Sequence, residues 1–276
     1  MKPTKHYFFT AVLLAAGLQL FAQKKEGTTN TTVTIKEKKT ASTFNEESSE
    51  QRNVNFIKLN LTAIALKNYS VQFERILGRK FSAAVSFRIM PTTSLPFRSQ
   101  ITKSIGNVSS NTTDIINNLQ ISNFAITPEF RMYLSKKGYG QGFYIAPFYR
   151  LANFKANNLK VDFTGETGAQ NSLNLSGDLT SNTAGILLGA QWTVGKQLCI
   201  DWWIAGPHYG IGKGKFNGVS AKQLTQREQD ELYRQINNLN VPFSEKTVHV
   251  DANGATMDLS GPWAGMRAGL SFGLRF

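Results

Sequence analysis

The sequence contains a single cysteine, Cys199, and past residue 22 it has no run of 18 apolar residues. The first scarcity excludes an internal disulfide framework, and the second excludes crossing a membrane with helices while leaving strands open. Histidine is scarce as well, three in 276 residues, so a Ser/His or Asp/His catalytic arrangement has few bases to draw on. Acidic side chains number 18 against 31 basic ones, giving a formal net charge of +13. Such an excess suits anionic headgroups, glycan or acidic partners. Nucleic acid is not an expected partner, because no recognisable binding motif accompanies the charge.

Glycine and phenylalanine are plentiful, 23 and 19, and 41% of the chain is hydrophobic. Lys2 and Lys5 precede an apolar run from Tyr7 to Phe21, and Leu20-Phe21-Ala22 ahead of Gln23 offers a small residue at a cut. This reads as a signal peptide over residues 1–22. Residues 23–53 are rich in Thr, Lys, Glu and Ser with few large apolar side chains, which predicts a disordered periplasmic tail. Its charges nearly cancel, so the basic excess belongs to residues 54–276.

From Val54 onward a period of two recurs to the end, which predicts one all-β domain. Eight segments carry it: about 54–66, 69–77, 81–89, 122–134, 143–154, 182–194, 198–209 and 263–276. In the last, Met266, Ala268, Leu270, Phe272, Leu274 and Phe276 share one face, with Arg267, Ser271 and Arg275 on the other. Each segment approaches the roughly 9–11 residues that a tilted strand needs to cross a bilayer. The expected fold is an eight-stranded antiparallel transmembrane β-barrel with short periplasmic turns and long outer loops, one of them containing a short α-helix. The turns fall at Gly78–Lys80, Ser135–Gly142 and Gly195–Gln197, and the outer loops at 67–68, 90–121, 155–181 and 210–262.

A basic side chain facing lipid near the midplane costs roughly 2–4 kcal/mol, so the charged faces are expected inside. That places Lys58, Glu74, Arg88, Glu129, Arg131, Arg150, Asp201, Arg267 and Arg275 in the interior, together with Cys199. Glu74, Arg88, Glu129, Arg131, Arg150, Asp201 and Arg267 are expected to form a lumen ion-pair network, because side chains fill a barrel this narrow. Arg75 is the exception and lies close enough to a turn to snorkel.

Outside the strands, two histidines offer a candidate loop site. His208 and His249 accompany Asp251 and Asp258, and an Asn253-Gly254 turn would set His249 opposite Asp258 and Asp251 opposite Thr256. No third ligand or nucleophile stands at a diagnostic spacing, so neither a metal, a cofactor nor a catalytic residue is assigned. Thr225-Gln226-Arg227-Glu228 is a capping-box pattern followed by Leu232, Tyr233, Ile236 and Leu239, predicting a helix over about 226–239. Leu159–Phe163 and Ser172–Leu175 alternate again, so the fifth and sixth strands should continue beyond the membrane into an outer vestibule. Gly210-Ile211-Gly212-Lys213-Gly214 lacks the context of a phosphate loop and reads as a flexible loop.

Several of these stretches carry a family likeness: Asn60-Leu61, Tyr69 to Arg75 followed by Gly78 to Ser82, Tyr144 to Tyr149, Gly185 to Gly189 leading into Asp201, and the terminal Phe276. With them the chain resembles small outer-membrane barrels of the OmpA/OmpX transmembrane type, and more closely the outer-membrane β-barrel proteins of Bacteroidota-type genomes. The resemblance implies a fold and an outer-membrane location, with no agreed activity to transfer. Phe272, Leu274 and Phe276 would then serve as the assembly signal read by the barrel assembly machinery. The functional expectation is a non-enzymatic outer-membrane barrel acting through loop-mediated binding or envelope integrity, with lipid and another envelope protein or a glycan as partners. A hydrolase acting on lipid or peptide through His208 or His249 and a narrow solute channel stand as alternatives.

Overall fold

The computed structural model of the chain describes residues 55–96, 98–99, 116–195, 197–239 and 244–276. The expected signal peptide (1–22) and tail (23–53) lie outside these residues. Among the described residues nine strands run β1 (Asn55–Asn60), β2 (Tyr69–Ile76), β3 (Phe81–Ser94), β4 (Gln120–Tyr133), β5 (Gly142–Thr164), β6 (Gln170–Val194), β7 (Leu198–Val219), β8 (Glu245–Asp251) and β9 (Gly254–Arg275). A short helix, α1 (Leu61–Ala65), follows β1, and a longer one, α2 (Gln226–Asn237), follows β7. Among the described residues no helix is long and apolar enough to cross a membrane.

All strand pairings are antiparallel and nearly all join sequence neighbours. The exceptions close the sheet: β9 pairs with β7 on one side and with β1 on the other. Hydrogen bonds therefore ring through eight strands, and the ninth, β8, pairs only with the first part of β9. The even alternation of side chains explains why these segments became strands. Along β2, Tyr69, Val71 and Phe73 are exposed while Ser70, Gln72 and Glu74 are buried. A one-residue slip would exchange these two sets, so the register is held by every polar residue inside.

Two strand expectations are corrected. The first segment does not continue to residue 66: β1 stops at Asn60, whose Oδ1 accepts the Ala63 N–H at 2.9 Å and caps α1. Lys67, at φ 56°, then turns the chain back into β2. The fifth and sixth strands do continue as expected, joined through residues 165–169, whereas residues 210–219, expected as loop, form the end of β7. The glycine-rich run 210–214 lies within β7, paired on both sides. A Cβ on Gly210 would lie 2.0 Å from the Asn182 carbonyl oxygen, so the glycine serves close strand approach instead of flexibility.

Two interiors result. The closed ring is filled by polar and charged side chains edged by Phe56, Tyr133, Tyr144, Phe148, Leu187 and Trp203. Beyond it, the prolonged halves of β5, β6, β7 and β9 join β8 and α2 in an extension. Leu159, Phe163, Leu175, Phe216, Leu232, Ile236 and Met257 pack there into a continuous apolar core. The space expected to be a vestibule is thus filled. A β-bulge between Ala156 and Leu159 accompanies the change in lining along β5.

Candidate functional site

The ring interior holds two layers. In the layer nearer the short turns, Arg131 from β4 reaches across the ring. Its Nη1 donates to Glu74 at 3.2 Å and Asp201 at 2.8 Å, and its Nη2 stands 2.5 Å from Glu129. Lys58 from β1 pairs with Glu74 and, at 2.8 Å, with Asp201. Arg267 from β9 reaches Glu129 at 3.0 Å. Neutral donors take further positions on the carboxylates: Tyr133 Oη and Ser82 Oγ on Glu74, at 2.6 and 2.5 Å, and Tyr144 Oη on Asp201 at 2.7 Å. Gln191 Oε1 accepts from both Lys58 and Arg131, at 2.6 and 3.0 Å.

These side chains are almost wholly removed from solvent, with Arg131, Glu74 and Asp201 at 0% exposure. Buried ions persist only when paired and hydrogen-bonded, and here every carboxylate is held by two or more partners. The arrangement cross-links β1, β2, β4, β7 and β9 across the ring. No carboxylate is left open to act as a base on a solute.

The second layer differs. Arg88 Nε donates to Asn123 Oδ1 at 3.2 Å, and Arg150 Nη1 donates to Thr127 Oγ1 at 3.3 Å. Neither arginine has a carboxylate within ion-pair distance among the described residues, so both are corrected out of the network. The physical reason is layering: the three acids sit with Arg131, and Arg88 and Arg150 occupy the next inward positions toward the extension. Arg267 spans the two layers, its guanidinium over the Phe148 and Trp203 rings at 4.5 and 4.7 Å. His208 also points inward, 9% exposed, edge-on to Phe148 at 5.9 Å, with Nδ1 unpartnered.

The loop site does not assemble. His208 pairs with Gly265 and His249 with Thr256, nine residues apart along β9, or about 30 Å at the usual strand rise. The hairpin register is also two residues tighter than expected: His249 faces Thr256, Asp251 faces Gly254, and Asp258 faces Thr247. Asp251 Oδ1 accepts the Asn253 and Gly254 N–H groups at 2.7 and 3.0 Å, which closes the turn at Ala252-Asn253, with Gly254 at φ 153°. His249, Asp251 and Asp258 are all exposed. Among the described residues no group of three or more His, Cys, Asp or Glu side chains is placed to hold a metal.

On the extension, α2 starts with the capping box, Glu228 N donating to Thr225 Oγ1 at 3.4 Å and Thr225 N to Glu228 Oε2 at 3.2 Å. The Lys222 ammonium at 2.8 Å, followed by the Thr225 N–H, holds the Glu228 carboxyl below its ordinary value. At the other end Lys246 Nζ donates to the carbonyls of Ile236, Asn237 and Leu239, at 3.0, 2.6 and 2.7 Å. It supplies the cation a helix C-terminus favours. Phe272, Leu274 and Phe276 face outward, 43%, 52% and 65% exposed.

Lys58, Gln72, Gln191, Tyr133 and Tyr144 belong to the interior network although the sequence did not single them out as site residues. Their inward parity was the available signal; which inward residues meet follows only from closure of the ring. Cys199 is likewise inward and buried.

The chain belongs to the family described as protein of unknown function DUF3575, whose family model matches residues 40–241. The match covers β1 through α2, and β8 and β9 lie beyond it. No curated protein and no solved structure matches the chain.

Proposed function

We propose that the eight-strand ring is a transmembrane β-barrel of an outer membrane and that the protein acts without catalysis. In this reading the barrel is a rigid base for the folded extension, which stands outside and binds another envelope protein or a glycan. One observation carries the proposal: the outward face changes chemistry at one registered height. Leu151, Asn182, Ile211 and Pro262 are aligned by strand pairing. On the short-turn side the exposed outward positions of β6 are Ala184, Ile186, Leu188, Trp192 and Val194; on the other they are Thr180, Asp178 and Asn174. On β7 the change falls between Ile211 and Lys213, and on β9 between Pro262 and Ser260.

A soluble protein rarely exposes so broad an apolar surface. The β6 segment from Ala184 to Val194 rises about 25–30 Å at the usual strand spacing and a tilt of roughly 40°, close to the thickness of a hydrocarbon core. Charges gathered inside and apolar residues outside are the inversion a lipid-facing sheet requires. The outer-membrane lipid is then the partner of the belt, and the assembly machinery that of Phe272, Leu274 and Phe276. The cross-ring network of Arg131 and Lys58 counts against a solute passage, and the separation of the histidines counts against a hydrolase.

Ile186→Arg and Thr180→Arg test the reading, both being outward positions of β6. Expression in an outer-membrane host should give membrane recovery near that of the parent for Thr180→Arg and strongly reduced recovery for Ile186→Arg, as expected from a cost of roughly 2–4 kcal/mol at the midplane. Equal recovery of the two variants would refute it.

A further inference from the structure

We infer that the upper layer of the ring interior is a binding site for a small inorganic anion of chloride size, held between Arg88, Arg150 and Arg267. Charge accounting leads there. Among the described residues of the network, Lys58, Arg131 and Arg267 face Glu74, Glu129 and Asp201, three cations against three carboxylates, all joined by ion pairs. Arg88 and Arg150 stand outside this balance, hydrogen-bonded only to neutral oxygens on Asn123 and Thr127. Arg150 is 7% exposed. A guanidinium removed from water without a counter-charge is strongly disfavoured, and an anion supplies one.

The cavity is built for that role. Arg88, Arg150 and Arg267 line it with Asn60, Ser86 and Thr127, and no carboxylate contributes to its wall. Asn60 is 2% exposed and its Nδ2 has no acceptor, so a buried donor in the wall is unused. The cavity is small, about 10 Å³, near the minimum that holds a single water-sized particle. A monatomic anion asks the walls to give less than a tetrahedral oxyanion would. The site depends on the ring interior alone and stands whether or not the outer surface meets lipid. It makes the anion a structural part of the ring, completing the charge balance that the acids of the lower layer leave unfinished.

The test uses the full chain purified in detergent and exchanged into gluconate at constant ionic strength. Chloride titrated in should raise the thermal unfolding midpoint by a few degrees and saturate. Arg150→Gln and Arg88→Gln should each weaken the apparent chloride affinity tenfold or more, while Lys213→Gln, on the outward face of the extension, should leave it unchanged. Crystals of the parent protein grown with bromide should show an anomalous peak between Arg88 and Arg150, a measurement that needs no variant to fold. A flat chloride response, or the absence of that peak, would overturn the site. Saturation by phosphate at lower concentration than chloride would overturn the assignment to a monatomic anion.

Discussion

The ring and the extension share four long strands, yet their interiors have opposite chemistry. Toward the short turns, β5, β6, β7 and β9 enclose Arg150, Gln191, Asp201 and Arg267; toward the extension they enclose Leu159, Leu175, Phe216 and Met257. Their outward faces invert at the same crossover, from Ile186 and Trp202 to Asp178 and Lys215. One continuous strand therefore carries two solvent codes, apolar-out and then polar-out, without breaking its hydrogen bonds. The difference shows that the boundary lies in the side chains and not in the backbone. It also sets how each region should fail: the ring by loss of charge balance, the extension by loss of packing.

Arg131→Met should give the largest effect, because it strands Glu74, Glu129 and Asp201 with fewer cations. A loss of about 3–5 kcal/mol is expected from breaking such buried pairs, read as a fall in the urea midpoint of the folded chain in detergent. An unchanged midpoint would mean that the network contributes nothing to ring closure. Leu232→Ala tests the other side. Leu232 is fully buried in the apolar core, so about 2–5 kcal/mol should be lost through the cavity created. Proteolysis within α2 should accelerate while the ring stays intact, and simultaneous collapse of both would erase the distinction between the regions.

Smaller effects sharpen the comparison at the ends of α2. Lys246→Met removes a cation shared by three carbonyls; about 1–3 kcal/mol should appear as faster amide exchange in β8 and loosening of the last turn. Thr225→Ala should cost about 1 kcal/mol through the lost cap. The same helix start should respond to acid. Because the folded Glu228 carboxyl titrates below its ordinary value of 4.5, its contribution is present above that value and is lost as pH falls through the lowered one. Helix content followed from about pH 7 to about pH 3 should drop on the acid side in the parent protein and less steeply in Glu228→Gln.

The sequence made β2 readable because each of its faces meets one environment throughout, as in the alternation of Tyr69, Val71 and Phe73 with Ser70, Gln72 and Glu74. The capping box of α2 was readable for the same local reason. The outer part of β7 was hidden because Gly210, Gly212 and Gly214 read as loop until the neighbouring strand that crowds Gly210 is known. The end of β1 was hidden because Leu61 to Leu66 keeps a plausible alternation, and the Asn60 cap together with left-handed Lys67 decides for a helix. At the site, inward parity identified the charged side chains. It could not separate Arg88 and Arg150 from the acids, since the layers form only when β9 pairs with both β1 and β7.

The most direct test of the proposal that the ring faces lipid is a nitroxide scan along the outward face of β6, with Cys199→Ser providing a cysteine-free background. Single labels at Asn174, Asp178, Asn182, Ile186, Leu188 and Val194 in protein reconstituted into bilayers should show a switch from water-soluble relaxation agent to oxygen accessibility just past Asn182. Depth should be greatest near Ile186 and Leu188. Uniform accessibility to the water-soluble agent along all six positions would contradict the account.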